Sequence, residues 1–293
     1  MTVAGEGLED GASCRGAATM KNKAHSIALA VGLVWSAGAA AQSAPDGVTV
    51  EETTWEQAVA ILEKVDAAAK AVHSVSYHGS FRGTGWLAGR VAQVEGTAVI
   101  GGMVIRHRRS RGFERFHFDV RVRESGSEEV KRFTAGHDGE VFFLIDWQAR
   151  TVHANDVREV LGSDGRLAQT IGMIEFVHPT PFTDEIDGDE VELVGMELVG
   201  DQECHVIDVV YAFGRGQARW YFSKKDLLPR RVDRVYYREG ERATTELVVT
   251  NLVVDPPLES AELQPFVPDG FERTERFAMD RAAAQRNPPL LKY

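Results

Sequence analysis

Phe116-His117-Phe118-Asp119-Val120-Arg121-Val122-Arg123 alternates apolar and polar side chains without a break. A period of two sends every apolar side chain to one face and every polar one to the other, as in a half-buried β-strand. Working outward, similar segments lie at Val75–Gly83, Val91–Ile100, Val130–Thr134, Val141–Trp147 and Thr151–Ala154. A second run follows at Val191–Val199, Cys204–Phe213, Gln217–Ser223, Pro229–Tyr237 and Thr244–Val254. The links are short and rich in Gly and Asp, as in Gly136-His137-Asp138-Gly139 and Val199-Gly200-Asp201. Close, regular spacing specifies an antiparallel meander of about ten strands rather than βαβ units.

Two segments depart from this period. Trp55, Val59, Leu62, Val65, Ala69 and Val72 are spaced as one stripe of an N-terminal helix. Val157, Val160, Leu161, Leu167, Ile171 and Ile174 repeat helical spacing in mid-chain, and Gly162-Ser163-Asp164-Gly165 is expected to divide that insert in two. A large curved sheet needs an apolar cover on its concave face, and these helices are the available filler. The expected fold is mainly β with accessory helices: an antiparallel sheet with an N-terminal helix and a mid-chain helical insert against its concave face.

The start of the chain speaks to compartment. Lys21 and Lys23 form a basic head, an apolar run extends from Ile27 to Trp35, and small residues lead to Ala39-x-Ala41. That order is a secretory signal peptide cleaved after Ala41, with Met20 as an alternative start, and the run is short for a bilayer span. No Cys follows Ala41, so a lipid anchor is not expected. The expected organisation is a leader over 1–41, one domain over 42–273 and a short tail or linker over 274–293. The destination is the periplasm or the exterior, with no stable membrane insertion after cleavage.

The net charge of −11 argues against nucleic acid or an anionic membrane as the main partner. The two cysteines are Cys14, lost with the leader, and Cys204, so no disulfide framework and no Cys-x-x-Cys is available. Cys204 lies among Val206, Val210 and Ala212 and reads as a buried, inert thiol. His107, His117, His137, His153 and His178 show no metal-ligand spacing. Asp184-Glu185-Ile186-Asp187-Gly188-Asp189-Glu190 lacks the alternating ligands of a calcium loop and reads as a solvated turn. There is no Gly-x-Ser-x-Gly elbow, and Gly83-Thr84-Gly85 has neither the lysine nor the strand-to-helix setting of a phosphate loop. No cofactor, metal or catalytic residue is implied. Arg106-His107-Arg108-Arg109-Ser110-Arg111 forms a local basic cluster that could meet lipid phosphates or an acidic partner.

The apolar strand faces are the functional candidates. Val141, Phe143, Ile145 and Trp147 share one face; Ile207, Val209, Tyr211 and Phe213 share another. With Phe116 and Phe118, the residues Phe143, Ile145, Trp147, Ile207, Val209 and Tyr211 are the expected ligand-binding set. If the sheet curls, these faces point inward, and a gap lined by Phe143, Ile145, Val209 and Tyr211 is expected beneath the helices.

Three stretches carry a family resemblance. They are Val199-Gly200-Asp201-Gln202-Glu203-Cys204-His205-Val206-Ile207, then Arg219-Trp220-Tyr221-Phe222-Ser223 leading through Lys224-Lys225-Asp226 to Leu228-Pro229-Arg230-Arg231. The third is Thr250-Asn251-Leu252-Val253-Val254-Asp255 with Phe266-Val267-Pro268-Asp269-Gly270-Phe271. With the leading helix, they resemble the periplasmic lipoprotein-carrier family (LolA/LolB-like, including outer-membrane lipoprotein-sorting proteins) over roughly Glu51–Phe271. The resemblance implies an unclosed antiparallel β-barrel, helices across its mouth and a hydrophobic cavity for acyl chains. It therefore implies a non-enzymatic lipid- or lipoprotein-binding protein whose partner is an acyl chain. Two alternatives stay open: an envelope-stress sensor acting through contacts with an envelope protein, and an accessory domain of a redox protein.

Overall fold

β-strands alternating in burial need one shared apolar face, and the chain supplies it in two meanders. A computed structural model of the protein describes residues 55–107, 110–258 and 263–274. The expected signal segment, Arg108 and Arg109 of the basic cluster, and the tail from residue 275 lie outside them. The first meander comprises β1 (Ser74–Gly83), β2 (Gln93–His107), β3 (Ser110–Arg123), β4 (Val130–His137), β5 (Phe142–Asp146) and β6 (Thr151–Asn155). The second comprises β7 (Glu190–Val199), β8 (Gln202–Val210), β9 (Gln217–Ser223), β10 (Pro229–Arg238) and β11 (Glu241–Val254). Antiparallel pairing of β1 with β11 joins them, from Val75↔Val254 to Gly83↔Thr245. A short β12 (Glu272–Thr274) adds to β6 in parallel. The result is one unclosed sheet ordered β12-β6-β5-β4-β3-β2-β1-β11-β10-β9-β8-β7.

This order dictates where the helices go. The chain leaves β6 near one end of the sheet and re-enters at β7, the opposite edge, so residues 156–189 must cross one face. A 3-10 turn at Arg158–Leu161 meets β5 and β6, α2 (Gly162–Ala168) meets β3 and β4, and a second turn at Gln169–Ile171 meets β1 and β2. Gly79 of β1 permits this last approach, since a Cβ there would stand 3.0 Å from the Ile171 Cβ. Another 3-10 turn at Ile174–Phe176 and the one-turn α3 (Thr183–Ile186) complete the crossing. Gly162, at a φ of 54°, divides the insert between the first 3-10 turn and α2 as expected, but Ser163–Gly165 are helical and do not form a loop. Gly165 answers a steric demand, because a Cβ there would lie 2.6 Å from the Leu161 Cβ.

The N-terminal helix, α1 (Trp55–Lys70), packs against β7, α3 and the Ile174–Phe176 turn. Ala58, Leu62, Val65, Asp66 and Ala69 form its buried stripe, whereas Trp55 is 54% exposed. The stripe spacing of three and four residues matches the expectation; its terminal tryptophan does not belong to it. The Asp255 carboxylate accepts the His73 and Ser74 N–H groups at 2.8 and 2.9 Å, tying the α1–β1 turn to the end of β11. These two donors hold the Asp255 carboxyl below its usual range.

Candidate functional site

The helix-covered face carries a continuous apolar seam. On the sheet side Phe116, Phe118, Ile207, Val209, Trp220 and Phe222 are all almost fully buried. The cover answers with Leu62 and Val65 of α1 and with Ile171, Met173, Phe176 and Phe182 of the insert, all in the same cluster. Phe182 sets its ring edge-on to Trp220 and Phe222, at centroid distances of 5.3 and 5.1 Å.

The expected ligand-binding set is split between the two faces. Phe116, Phe118, Ile207, Val209 and Tyr211 belong to the helix-covered cluster. Phe143 and Ile145 sit on the opposite face with Val152 and Ala154, backed by Trp147 and by Phe271 from the C-terminal segment. Register shows why: Phe118 pairs with Ala135 and Ala135 with Leu144, so Phe142 and Leu144 face the cover while Phe143 and Ile145 face away. The expected gap lined jointly by Phe143, Ile145, Val209 and Tyr211 is therefore not formed. Phe213, expected to share a face with Tyr211, is outside β8 and exposed. The covered face is filled by its own cover: a further apolar group enters only where cover side chains leave.

Three polar clasps hold that cover. The Tyr77 hydroxyl of β1 donates to Ile171 C=O and accepts from Met173 N–H, both at 2.8 Å and buried. Burial drives its pKa well upward. Asp66 of α1 accepts the Phe182 N–H at 3.3 Å. Glu185 of α3 accepts the Tyr211 O–H at 2.7 Å, and Tyr211 accepts the Trp220 Nε1–H at 3.1 Å. Glu185 is 5% exposed, and burial pushes its pKa up to about 7. Sequence reasoning missed all three. Asp66 was legible as the polar member of the Leu62, Val65, Asp66, Ala69 stripe. Glu185 reads from sequence as part of a solvated turn but is buried, and Phe182 and Ile186 flank it at helical spacing.

The opposite face is charged across the central strands. Arg82 and Arg231 converge on Glu246 at 2.7 and 3.3 Å, Arg231 forks onto Asp233, and Arg219 onto Asp208. A cleft there mixes the charged side chains Arg82, Glu95, Arg121 and Arg123 with Phe81 and Val248. Cys204 lies on this face, fully buried with Val199, Val206 and Tyr221, and burial pushes its thiol up to about 11. Labelling by a thiol reagent is expected to be at least ~100-fold slower in the native protein than in denaturant, following the population of open forms. Fast native labelling would contradict the burial.

No family model and no curated protein matches the chain; solved structures do. It is similar to LprF from Mycobacterium bovis at 10% identity and a TM-score of 0.43, covering 75% of this chain and 100% of that one. It is similar to a LolA superfamily protein from Nitrosomonas europaea at 10% identity and 0.27, covering 71% and 97%. It is also similar to a chain of the MucA/MucB complex from Pseudomonas aeruginosa at 12% identity and 0.36, covering 71% and 61%. At these identities and scores no residue role follows from the likeness. The unclosed antiparallel sheet with its helical cover rests on the strand order and registers of this chain itself.

Proposed function

We propose that this protein is a non-enzymatic, extracytoplasmic lipid- or lipoprotein-binding protein that shelters an acyl chain between the sheet and its helical cover. The observation that carries the reading is the seam itself: apolar on both sides, held shut by the Tyr77 and Glu185 clasps, with Asp66 tying the two parts of the cover together. An acyl chain that displaces cover side chains keeps the sheet face out of water. It gains roughly 0.8 kcal/mol for each CH₂ that it buries. Phe116, Phe118, Ile207, Val209 and Tyr211 are the proposed lining; Phe143, Ile145 and Trp147 are on the opposite face of the sheet and do not join them. The expected periplasmic destination belongs to the same proposal.

Displacement of a fluorescent fatty acid tests it. Wild type is expected to bind the probe saturably at one site. Tyr77→Phe removes both insert contacts of that hydroxyl and leaves Ile171 C=O and Met173 N–H unpaired, at a cost of about 1–3 kcal/mol. A cover held less tightly taxes affinity less, so Tyr77→Phe is expected to take up the probe faster and at least as tightly as wild type. Absence of saturable binding in both proteins would end the carrier reading. A second reading, regulation through protein contacts, then stands on edge strand β7. Its outer side pairs with no strand among the described residues, and Val194, Met196 and Leu198 are 43%, 41% and 72% exposed there.

A further inference from the structure

The chain Trp220–Tyr211–Glu185 joins the floor of the seam to the last helix of its cover. Trp220 is in the middle of β9, Tyr211 follows β8, and Glu185 belongs to α3. All three are buried, so water does not substitute for these hydrogen bonds as it does at the surface. Of the three clasps, the Tyr77 one involves no carboxylate and the Asp66 one is made with Lys70 at its side. The Glu185 clasp ends on a carboxyl that must either be neutral or carry a charge in the interior.

We propose that protonation of Glu185 latches the helical cover onto the sheet, closing the seam in acid and loosening it toward neutral pH. The proposal concerns the regulation of the lipid-binding face and, for its functional meaning, rests on that reading. The charged surroundings support it from each packed element. Glu175, on the neighbouring turn, adds a like charge that disfavours ionised Glu185. Arg234 of β10 opposes this, but its guanidinium stands 3.7 Å from Glu175. Asp184 on α3 itself is paired with Arg215 at 3.0 Å. Asp66, from α1, is turned to Lys70 and to Phe182 N–H.

The sign follows from linkage. Burial raises the Glu185 pKa to about 7 in the closed form, from the 4.5 of a glutamate in water. A group that binds protons more tightly when closed favours closure fully below the lower value. That advantage is lost as pH rises between the two values and is flat above the upper one. The equilibrium constant for opening is therefore expected to rise on the order of 100-fold between pH 5 and pH 8.

Hydrogen exchange over residues 158–186 of the full chain, corrected for intrinsic rates, reads this directly. Wild type should show the rise; Glu185→Gln, which cannot ionise, should be flat across the same range. Tyr211→Phe removes a donor that favours the ionised carboxylate, so the wild-type rise should persist with its midpoint moved to higher pH. A flat wild-type profile, or an unchanged slope in Glu185→Gln, would overturn the latch. Fluorescent fatty acid binding at the same pH values separates the two ideas. With no binding at any pH but the exchange pattern intact, the carrier reading falls and the latch is upheld as a conformational device.

Discussion

Trp220→Ala is expected to lower the unfolding free energy by ~3–5 kcal/mol, the range for removing a fully buried large aromatic. The side chain is stacked on Phe222 with 9° between ring planes and 5.8 Å between centroids, and Phe182 stands edge-on to both. The hole cannot close easily. Phe182 is held by its backbone to Asp66, and Phe222 is fixed in the β9–β10 register opposite Pro229. Truncation also deprives the Tyr211 hydroxyl of its indole donor while leaving it bonded to Glu185. Against a typical stability of about 5–15 kcal/mol, this is a large share for one residue.

Urea denaturation checks it, and a companion variant separates its parts. Trp220→Phe keeps most of the ring contacts but loses the Nε1–H, so it is expected to cost about 1–2 kcal/mol. If the two variants lose equal stability, the hydrogen-bond chain and not the packing dominates at this point. If Trp220→Ala loses less than about 1 kcal/mol with an unchanged m-value, the seam is not the cooperative centre of the fold.

Legibility of the fold from sequence varied with how different the two sides of each element are. Phe116–Arg123 separates cleanly because its polar alternates, Asp119, Arg121 and Arg123, meet water or ion-pair partners on the open face. β5 does not separate, because Phe142 and Leu144 are apolar on one side and Phe143 and Ile145 on the other. That strand is buried twice, by the insert and by the C-terminal segment. Alternation alone says which residues share a face, not which face meets the helices, and this is why the ligand-binding set came apart. α3 is a single turn, too short for a helical period to repeat and reveal it. β12 is three residues paired in parallel with a distant strand, and nothing local encodes such a partner. The partners of the clasps were hidden for a related reason. Tyr77, Asp66 and Glu185 are polar residues whose partners lie on other elements, and sequence spacing carries no information about those distances.

Gly96→Ala is the second change expected to be severe, at about 3–5 kcal/mol. Gly96 pairs with Val120 in the β2–β3 ladder and takes a φ of 159°, which side-chain-bearing residues rarely adopt. A Cβ there would stand 2.7 Å from the Val120 Cα and press on the Asp119 carbonyl oxygen. Both obstacles are backbone atoms of the paired strand, so no rotamer change relieves them. Relief requires β3 to move, and β3 carries Phe116, Phe118 and Val120 to the seam. A shift by one position would turn those rings to the charged face. Gly89 supplies the control. Its φ of 69° also favours glycine, but nothing lies within 4 Å of a Cβ there, so Gly89→Ala bears strain alone and should cost about 1 kcal/mol. Hydrogen exchange should locate the difference: Gly96→Ala loses protection across residues 93–101 and 115–123 first, whereas Gly89→Ala leaves them unchanged. Equal, small losses for both variants would mean that the β2–β3 ladder has slack at this point and that the register does not hold the seam in place.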